Sequence, residues 1–319
     1  MDFQSKTFHK TSMKIFKSLE NLPPEAKDTV IAIGNFDGVH RGHQALLGQA
    51  KDIAVSEGKS FGVLTFEPHP RRLFRPDDPP SRITPPEVKH WRLAEFGVDF
   101  VVSLPFDWDF ASQSAADFIT GVLLGGLHPH HIIIGEDFRF GQLRKGEPED
   151  IRDAGIALTT VEKITGDDGK VFSSSAVRSA LRIGDLNAAN EILGWNWEIR
   201  GQVVKGDQRG RQLGYPTANV ALHETVHPAY GVYATRVQID GEDEWHNAAT
   251  NIGIRPMFEV PTAQVESFIF DFDREIYGKT LRIQPVQRLR GEAKFTSLDA
   301  LTDQIEKDCA QAREILSRP

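Results

Sequence analysis

Val30-Ile31-Ala32-Ile33-Gly34-Asn35-Phe36-Asp37-Gly38-Val39-His40-Arg41-Gly42-His43 decides how the first half of the chain folds. Four apolar residues in a row read as a strand buried on both faces, and a helical period begins at Gln44. Between them, glycines at 34, 38 and 42 let the backbone pass close to a ligand, and the new helix points free N–H groups at any anion there. His40 and His43 are three apart and share one face of the first helical turn. Imidazoles at a helix N-terminus lose basicity yet still donate hydrogen bonds to phosphate oxygens. The same residues would also serve as a plain turn carrying two surface histidines.

Working outward, apolar runs at Phe61–Phe66, Phe100–Leu104 and His131–Ile134 alternate with helical patterns at Gln44–Val55, Pro86–Phe96, Ser114–Leu124 and, more weakly, Pro148–Ala154. The alternation predicts an α/β domain with a doubly wound, Rossmann-like parallel sheet, which binds ligands outside the carboxyl ends of its strands. Polar segments follow two of those ends, Thr65-Phe66-Glu67-Pro68-His69-Pro70 and Gly135-Glu136-Asp137-Phe138-Arg139-Phe140-Gly141. A third, Ser173-Ser174-Ser175-Ala176-Val177-Arg178, opens connecting helices over 174–194, with a second start at Asp185. This topology draws all of them to one crevice; singly, each reads as loop punctuation or a serine cap.

From Trp197 the texture changes. Trp197–Val204, Tyr230–Ile239, Glu244–Thr250, Ala263–Phe272 and Thr280–Arg290 read as strands parted by Gly, Pro and Asp turns. A helix over Ser297–Leu316 closes the chain, with Ser297 as N-cap and Leu298, Leu301, Ile305, Cys309, Ala312 and Ile315 as its apolar stripe. A small β-barrel with a terminal helix is expected. Its first strand leads into Lys205-Gly206-Asp207-Gln208-Arg209-Gly210-Arg211-Gln212-Leu213-Gly214-Tyr215-Pro216-Thr217-Ala218-Asn219. Glycines with Arg209 and Arg211 suit an anion-binding loop, and the Thr217 and Asn219 oxygens, two apart, face the same way in an extended segment. Neutral oxygens beside phosphates suit magnesium. Glu266 shares a strand face with Phe268 and Phe270; among aromatic rings a carboxylate can have a raised pKa and act as a general base. A basic turn and a solvent-facing glutamate are the plainer readings.

Composition narrows the classes. A chain of 319 residues with 39% apolar and 26% charged residues supports about two domains with cores of their own. Lys and Arg total 37 against 45 Asp and Glu, a net charge of −8, opposite to what phosphate-neutralising nucleic-acid binders need. One cysteine excludes an internal disulfide and a cysteine-based zinc cluster. No apolar run approaches the ~18 residues of a membrane span, and the N-terminus lacks a secretory apolar stretch, so a cytoplasmic protein is expected. Phosphate-loop, G-x-G-x-x-G and H-E-x-x-H motifs are missing. Gly58-Lys59-Ser60-Phe61-Gly62 fits G-x-S-x-G in letters only, since it ends a helix and enters a strand, the reverse of a nucleophile elbow.

Gly34–His43 resembles the H-x-G-H signature of nucleotidyltransferases in the form carried by bacterial FAD synthetases. Thr65–Pro70, Gly135–Gly141 and Ser174–Arg178 are similar to that family's later motifs, in order. The resemblance implies that His40 and His43 hold ATP phosphates and stabilise the α-phosphoryl transition state. It likewise assigns Arg178, with Ser174, to the phosphates that leave as pyrophosphate. Gly34, Asn35 and Phe36 would lie along the nucleotide, Asp137 near its ribose or base, and Pro68, His69 and Pro70 on the flavin side. Ser175 stands where the family usually has threonine and keeps the hydroxyl.

The second half is similar to riboflavin kinase, a six-stranded antiparallel barrel, through Arg209–Asn219, the Asn251-Ile252-Gly253 string and Val265-Glu266 with Asp271-Phe272. That resemblance places Gly206, Arg209, Gly210 and Arg211 in the ATP loop, Thr217 and Asn219 around magnesium and ATP, and Glu266 as base toward the ribityl hydroxyl. Met257 and Phe268 depart from the commonest pattern, which has threonine and histidine there.

Together the resemblances imply a bifunctional riboflavin kinase and FMN adenylyltransferase. Its boundaries would be an extension over 1–12, an adenylyltransferase domain over 13–184 and a kinase domain over 185–319, with Met13 as a candidate start. ATP, riboflavin, FMN and FAD would be its substrates and products and Mg2+ its cofactor, with no nucleic-acid or membrane partner and homo-oligomerisation left open. The competing readings are a flavin carrier without turnover, an RNA-binding barrel, and transfer of a different nucleotide or acceptor.

Overall fold

The computed structural model describes residues 13–206, 210, 213–255 and 262–318. The chain forms two compact units, Met1–Asp78 with Lys89–Val171, and Pro79–Val88 with Phe172–Pro319. Among the described residues no helix is long and apolar enough to cross a membrane.

The first unit holds a six-stranded sheet of β1 (Lys14–Phe16), β2 (Val30–Ile33), β3 (Phe61–Glu67), β4 (Phe100–Pro105), β5 (His131–Gly135) and β6 (Ala157–Val161), in the order β1-β4-β3-β2-β5-β6. Every neighbouring pair is parallel. The four expected strands form the middle of the sheet. The two edge strands escape a reading by apolar runs, β1 because it has three residues and β6 because it is half-buried and rich in threonine. β2 is apolar throughout because its alternate residues feed two cores: Ile31 and Ile33 pack with Leu64, Val102 and Ile132, whereas Val30 and Ala32 pack with Val63, Val101 and Ile133. The second core also takes Leu46, Leu47, Ala50 and Ala54 of α1 (Arg41–Glu57). α1 ends at Gly58 in the left-handed region, φ 64°, so the G-x-S-x-G string is a helix stop leading into β3.

Shorter helices follow: α2 (Pro70–Phe74), α3 (Pro86–Glu95), α4 (Trp108–Ala111), α5 (Ala115–Asp117) and α6 (Pro148–Asp153). The α-helix expected over Ser114–Leu124 is only partly one. Ser114 and Asp117 make a capping box at its start, and from Phe118 to Leu127 it widens into a π-helix. From β2 the sheet grows through β3 and β4 on one side and through β5 and β6 on the other. That reversal puts the switch point at the carboxyl ends of β2 and β5, the place where open α/β sheets take ligands.

The second unit opens with α7 (Ser174–Ile183) and α8 (Leu186–Leu193), separated at Gly184 (φ 81°) and capped by Asp185, whose carboxylate accepts from the Ala188 N–H at 3.0 Å. Six antiparallel strands follow: β7 (Ile199–Gln202), β8 (Ala218–Ala221), β9 (Gly231–Ile239), β10 (Trp245–Arg255), β11 (Thr262–Ile269) and β12 (Thr280–Arg290), ordered β7-β12-β9-β10-β11-β8. A bridge between Val204 and Asn219 brings the chain after β7 back to β8 and nearly closes the barrel. The Thr217–Asn219 segment, read as extended, leads into a barrel strand. Trp197, Tyr233, Val237, Ile252, Val265 and Ile283 form the interior with Val177 and Leu181 of α7.

The terminal helix α9 (Leu298–Leu316) begins at Ser297, whose hydroxyl accepts from the Ala300 N–H at 3.1 Å. Its Ala312 and Leu316 pack on Ala234, Ala249 and Phe270. The expected stripe fails at its first member, for Leu298 is 68% exposed. Asp308 is buried instead, because Arg290 meets it with Nε and Nη2 at 3.0 and 2.7 Å.

Candidate active sites

In the first unit, the loop after β2 is held by backbone. Gly34 N–H donates to the Leu64 carbonyl at 3.1 Å, and a Cβ at 34 would sit 3.2 Å from the Phe36 ring, so glycine lets that ring fold back under the loop. Phe36 (φ 50°) and Val39 (φ 38°) are both fully buried in the left-handed region. For a β-branched residue that conformation is a true outlier, and each such residue costs roughly 1–3 kcal/mol unless its surroundings enforce it. Gln44 helps to enforce it by donating from Nε2 to the Val39 carbonyl at 2.8 Å.

The turn delivers His40 as the N-cap of α1, its Nδ1 accepting from the His43 N–H at 3.4 Å. The two imidazoles stack, centroids 3.7 Å apart and planes 24° apart, and Phe36 backs His43 at 5.2 Å. Two donor rings thus stand together at the positive end of a 17-residue helix, a setting that favours an anion.

Neighbouring strand ends supply the remaining groups. Asp137 follows β5 and pairs with Lys163 at 3.2 Å. Pro68, after a cis peptide bond, His69 and Pro70 lead from β3 into α2; His69 caps it, Nδ1 accepting from the Arg71 N–H at 3.1 Å. Two features here were not read from the sequence. A ladder of rings runs from Phe118 through Phe110 and Phe106 to Phe74 and Trp108, which are 55% and 64% exposed. Lys89, 4% exposed, reaches Glu67, Thr65 and the Asn35 carbonyl. The signal for Lys89 was available, since a charge one helical turn before buried Leu93 lies on the inward face of α3.

Ser174 and Arg178 belong to the second unit. Ser173, not Ser174, caps α7, accepting from the Ala176 N–H at 3.2 Å. Arg178 is buried, and its Nε donates to the Ser81 carbonyl at 2.6 Å.

The barrel brings Asn219, Asn251 and Glu266 together by register. Glu266 lies directly opposite Asn219 on β8 and opposite Asn251 on β10. Directly opposed residues project to the same side of a sheet, so Asn219, Glu266 and Asn251 form one row. Asn219 donates from Nδ2 to the Thr217 carbonyl at 3.1 Å and hydroxyl at 3.5 Å. A Cβ at Gly206 would lie 2.6 Å from Asn219 Oδ1, so glycine leaves a cradle that the Asn219 amide fills. Gly210 is held just as closely: its carbonyl accepts from Tyr215 N–H at 2.8 Å, and a Cβ there would lie 2.4 Å from the Tyr215 carbonyl oxygen. Arg209, Arg211 and Met257 lie outside the described residues.

A cavity of about 270 Å³ opens here, lined by Gly206, Thr217, Asn219, Ser267, Arg274 and Tyr277 among others. Glu266 is not in its lining but stands beside Asn219 on the next strand. Phe268 meets Tyr215 edge-on at 5.2 Å and Phe270 at 5.7 Å, so the glutamate's strand continues into an aromatic surface. Among the described residues no group of three or more His, Cys, Asp or Glu side chains is placed to hold a metal.

The chain matches the FAD synthetase family over residues 22–176 and the riboflavin kinase family over residues 193–316. It is 40% identical over 302 residues to a bifunctional riboflavin kinase/FMN adenylyltransferase of Bacillus subtilis (strain 168), covering 91% of this chain and 93% of that one. An Escherichia coli (strain K12) protein of the same description is 38% identical over 314 residues, covering 96% and 100%. Among solved structures, one described as a macrolide-efflux protein from Streptococcus pneumoniae superposes with a TM-score of 0.82 at 32% identity, covering 94% of this chain and 98% of that one. That structure shares the fold across both units, while its description stays with that protein. With two such relatives covered almost end to end, this chain belongs to the family of bifunctional riboflavin kinase/FMN adenylyltransferases.

Proposed function

We infer that this chain makes FAD from riboflavin in two ATP-dependent steps, phosphorylation of riboflavin to FMN followed by transfer of AMP to FMN with release of pyrophosphate. The observation that carries this reading is the presence of both families in order on one chain. We assign the adenylyltransferase to a domain over 13–184 and the kinase to one over 185–319.

In the kinase step, the Glu266 carboxylate takes the proton of the terminal ribityl hydroxyl as its oxygen attacks the γ-phosphorus of ATP, and ADP leaves. The Gly206 cradle supports a magnesium site: it fixes the Asn219 amide beside the Thr217 hydroxyl, and two neutral oxygens suit an ion that takes its other ligands from phosphates and water. Thr217 and Asn219 would hold that ion, which supplies charge neutralisation at the phosphates. Gly206 and Gly210 shape the loop around the triphosphate.

In the transfer step, an FMN phosphate oxygen attacks the α-phosphorus of the second ATP without a covalent enzyme intermediate. The work is alignment and charge neutralisation. His40 and His43, stacked at the start of α1, donate hydrogen bonds to the oxygens where charge builds. Gly34 and Asn35 line the nucleotide, Phe36 supports that loop from beneath rather than touching the ligand, and Asp137 lies at the ribose or base. Pro68, His69 and Pro70 face the flavin, a reading supported by the exposed Phe74 and Trp108 rings nearby in the ladder. Ser174 and Arg178 are assigned to the triphosphate on their motif alone.

A cytoplasmic site of action fits a chain with a single cysteine, and the charge of −8 argues against a nucleic-acid partner. A flavin carrier without turnover is not favoured, since the relatives are described as enzymes. Incubation with riboflavin, ATP and magnesium, with chromatography of the products, should give FMN and then FAD. FMN alone would refute the transfer step, and unreacted riboflavin would refute the kinase step.

A further inference from the structure

The carboxyl ends of β2 and β3 carry a buried charge that none of the steps above uses. Lys89 Nζ lies 2.6 Å from Glu67 Oε1, 3.2 Å from Thr65 Oγ1 and 3.4 Å from the Asn35 carbonyl oxygen. Thr65, itself fully buried, donates to the same carbonyl at 3.3 Å. Each of these oxygens is within reach of an ammonium N–H. Its charge is matched by the Glu67 carboxylate, so it is not poised to take a phosphate.

These acceptors come from the two segments that must meet for transfer. Asn35 lies in the loop that turns the chain from β2 toward His40 and His43, and Glu67 is the last residue of β3, immediately before Pro68, His69 and Pro70. Buried ion pairs are weak contributors to stability compared with apolar packing, whereas their fixed donor geometry constrains position. We propose that Lys89 is a positioning residue for adenylyl transfer, fastening the nucleotide loop at Asn35 to the flavin segment at Glu67 so that the attacking phosphate oxygen and the α-phosphorus keep one separation. This rests on the placement of the transfer site at Gly34–His43.

The test compares steady-state kinetics of FMN adenylylation in Lys89→Met, Lys89→Arg and the charge-neutral pair Glu67→Gln with Lys89→Met, each in the full chain. Riboflavin phosphorylation and thermal unfolding are followed alongside. Lys89→Met should lower kcat for transfer on the order of a hundredfold, the effect of misplacing reacting groups by about 1 Å. The KM values for ATP and FMN should stay within about threefold, because no substrate contact is lost. Lys89→Arg should recover most of kcat, and the paired variant should unfold near the wild-type temperature yet remain slow, which a purely structural ion pair would not do. A Lys89→Met kcat within about threefold of wild type, a change confined to KM, or full kcat in the paired variant overturns the proposal. If Lys89→Met does not fold, Thr65→Val decides: a fall in kcat alone supports the tether, and an unchanged kcat overturns it. His43→Ala is run in parallel. Unimpaired transfer in that variant refutes the location of the site, whereas loss in His43→Ala with a normal Lys89→Met refutes only the role of Lys89.

Discussion

Gly206→Ala is the sharpest probe of the kinase site, because a single methyl is aimed at one side chain. The added Cβ would lie 2.6 Å from Asn219 Cγ and Oδ1 and 2.7 Å from Nδ2. Comfortable contact between heavy atoms begins near 3.5 Å, so the amide or the loop must move by about 1 Å. Asn219 is buried, tied to Thr217 through Nδ2 and clamped by the Val204 bridge. It has little room to yield. Overpacking of this kind costs about 1–3 kcal/mol. Taken out of alignment in the transition state, that becomes roughly a 5- to 150-fold loss in kcat/KM for riboflavin phosphorylation at about 1.4 kcal/mol per tenfold. FAD formation from supplied FMN, followed on the same preparation, should be unchanged and controls for folding. A Gly206→Ala variant that phosphorylates riboflavin within threefold of wild type would show that the Asn219 amide does not need its observed place.

Three further outcomes are expected. Glu266→Gln removes the proposed base and should slow FMN formation by roughly 10²- to 10⁴-fold while adenylylation of supplied FMN survives, as product chromatography would reveal; loss of both would contradict separate sites. His43→Ala should do the converse and let FMN accumulate, and a wild-type rate of FAD formation would remove the histidine from the mechanism. Cys309 is half-buried against the barrel, and burial, then the neighbouring Asp308, pushes its thiol up to about 11. At pH 8 only about one thiol in a thousand is ionised, so alkylation in the native chain should run on the order of a hundredfold slower than in denaturant. Equal rates in the two would show the thiol to be open to solvent.

Much of the architecture was legible because the relevant signals are local. The central strands of the parallel sheet follow from runs of apolar residues, whereas α1 begins at Arg41, three residues before the expected helical pattern at Gln44, because His40 caps it. The histidine pair follows from helical spacing. The row of Asn219, Glu266 and Asn251 does not, since 47 residues of sequence separate the first two and only strand register sets them side by side. Phe36 and Val39 adopt left-handed backbone that their side chains disfavour, so composition gives no hint of the turn they make.

Periodicity has a second limit, visible in α9. It reports which residues share a face, and Leu298 does share one with Ala312; it says nothing about how far the opposing surface extends. The barrel covers the later turns of the helix, and the first turn overhangs it, so Leu298 is exposed while Asp308, a charged residue within the arc of the stripe, is buried against Arg290. Lys89 is the same effect with the opposite consequence. Its position marks it as inward-facing, which for an ammonium is unfavourable until a partner is supplied, and the partner is a carboxylate 22 residues earlier in the chain. A charge on an apolar helical face is therefore worth following to its counter-ion: here the search leads straight to the junction between the nucleotide loop and the flavin segment.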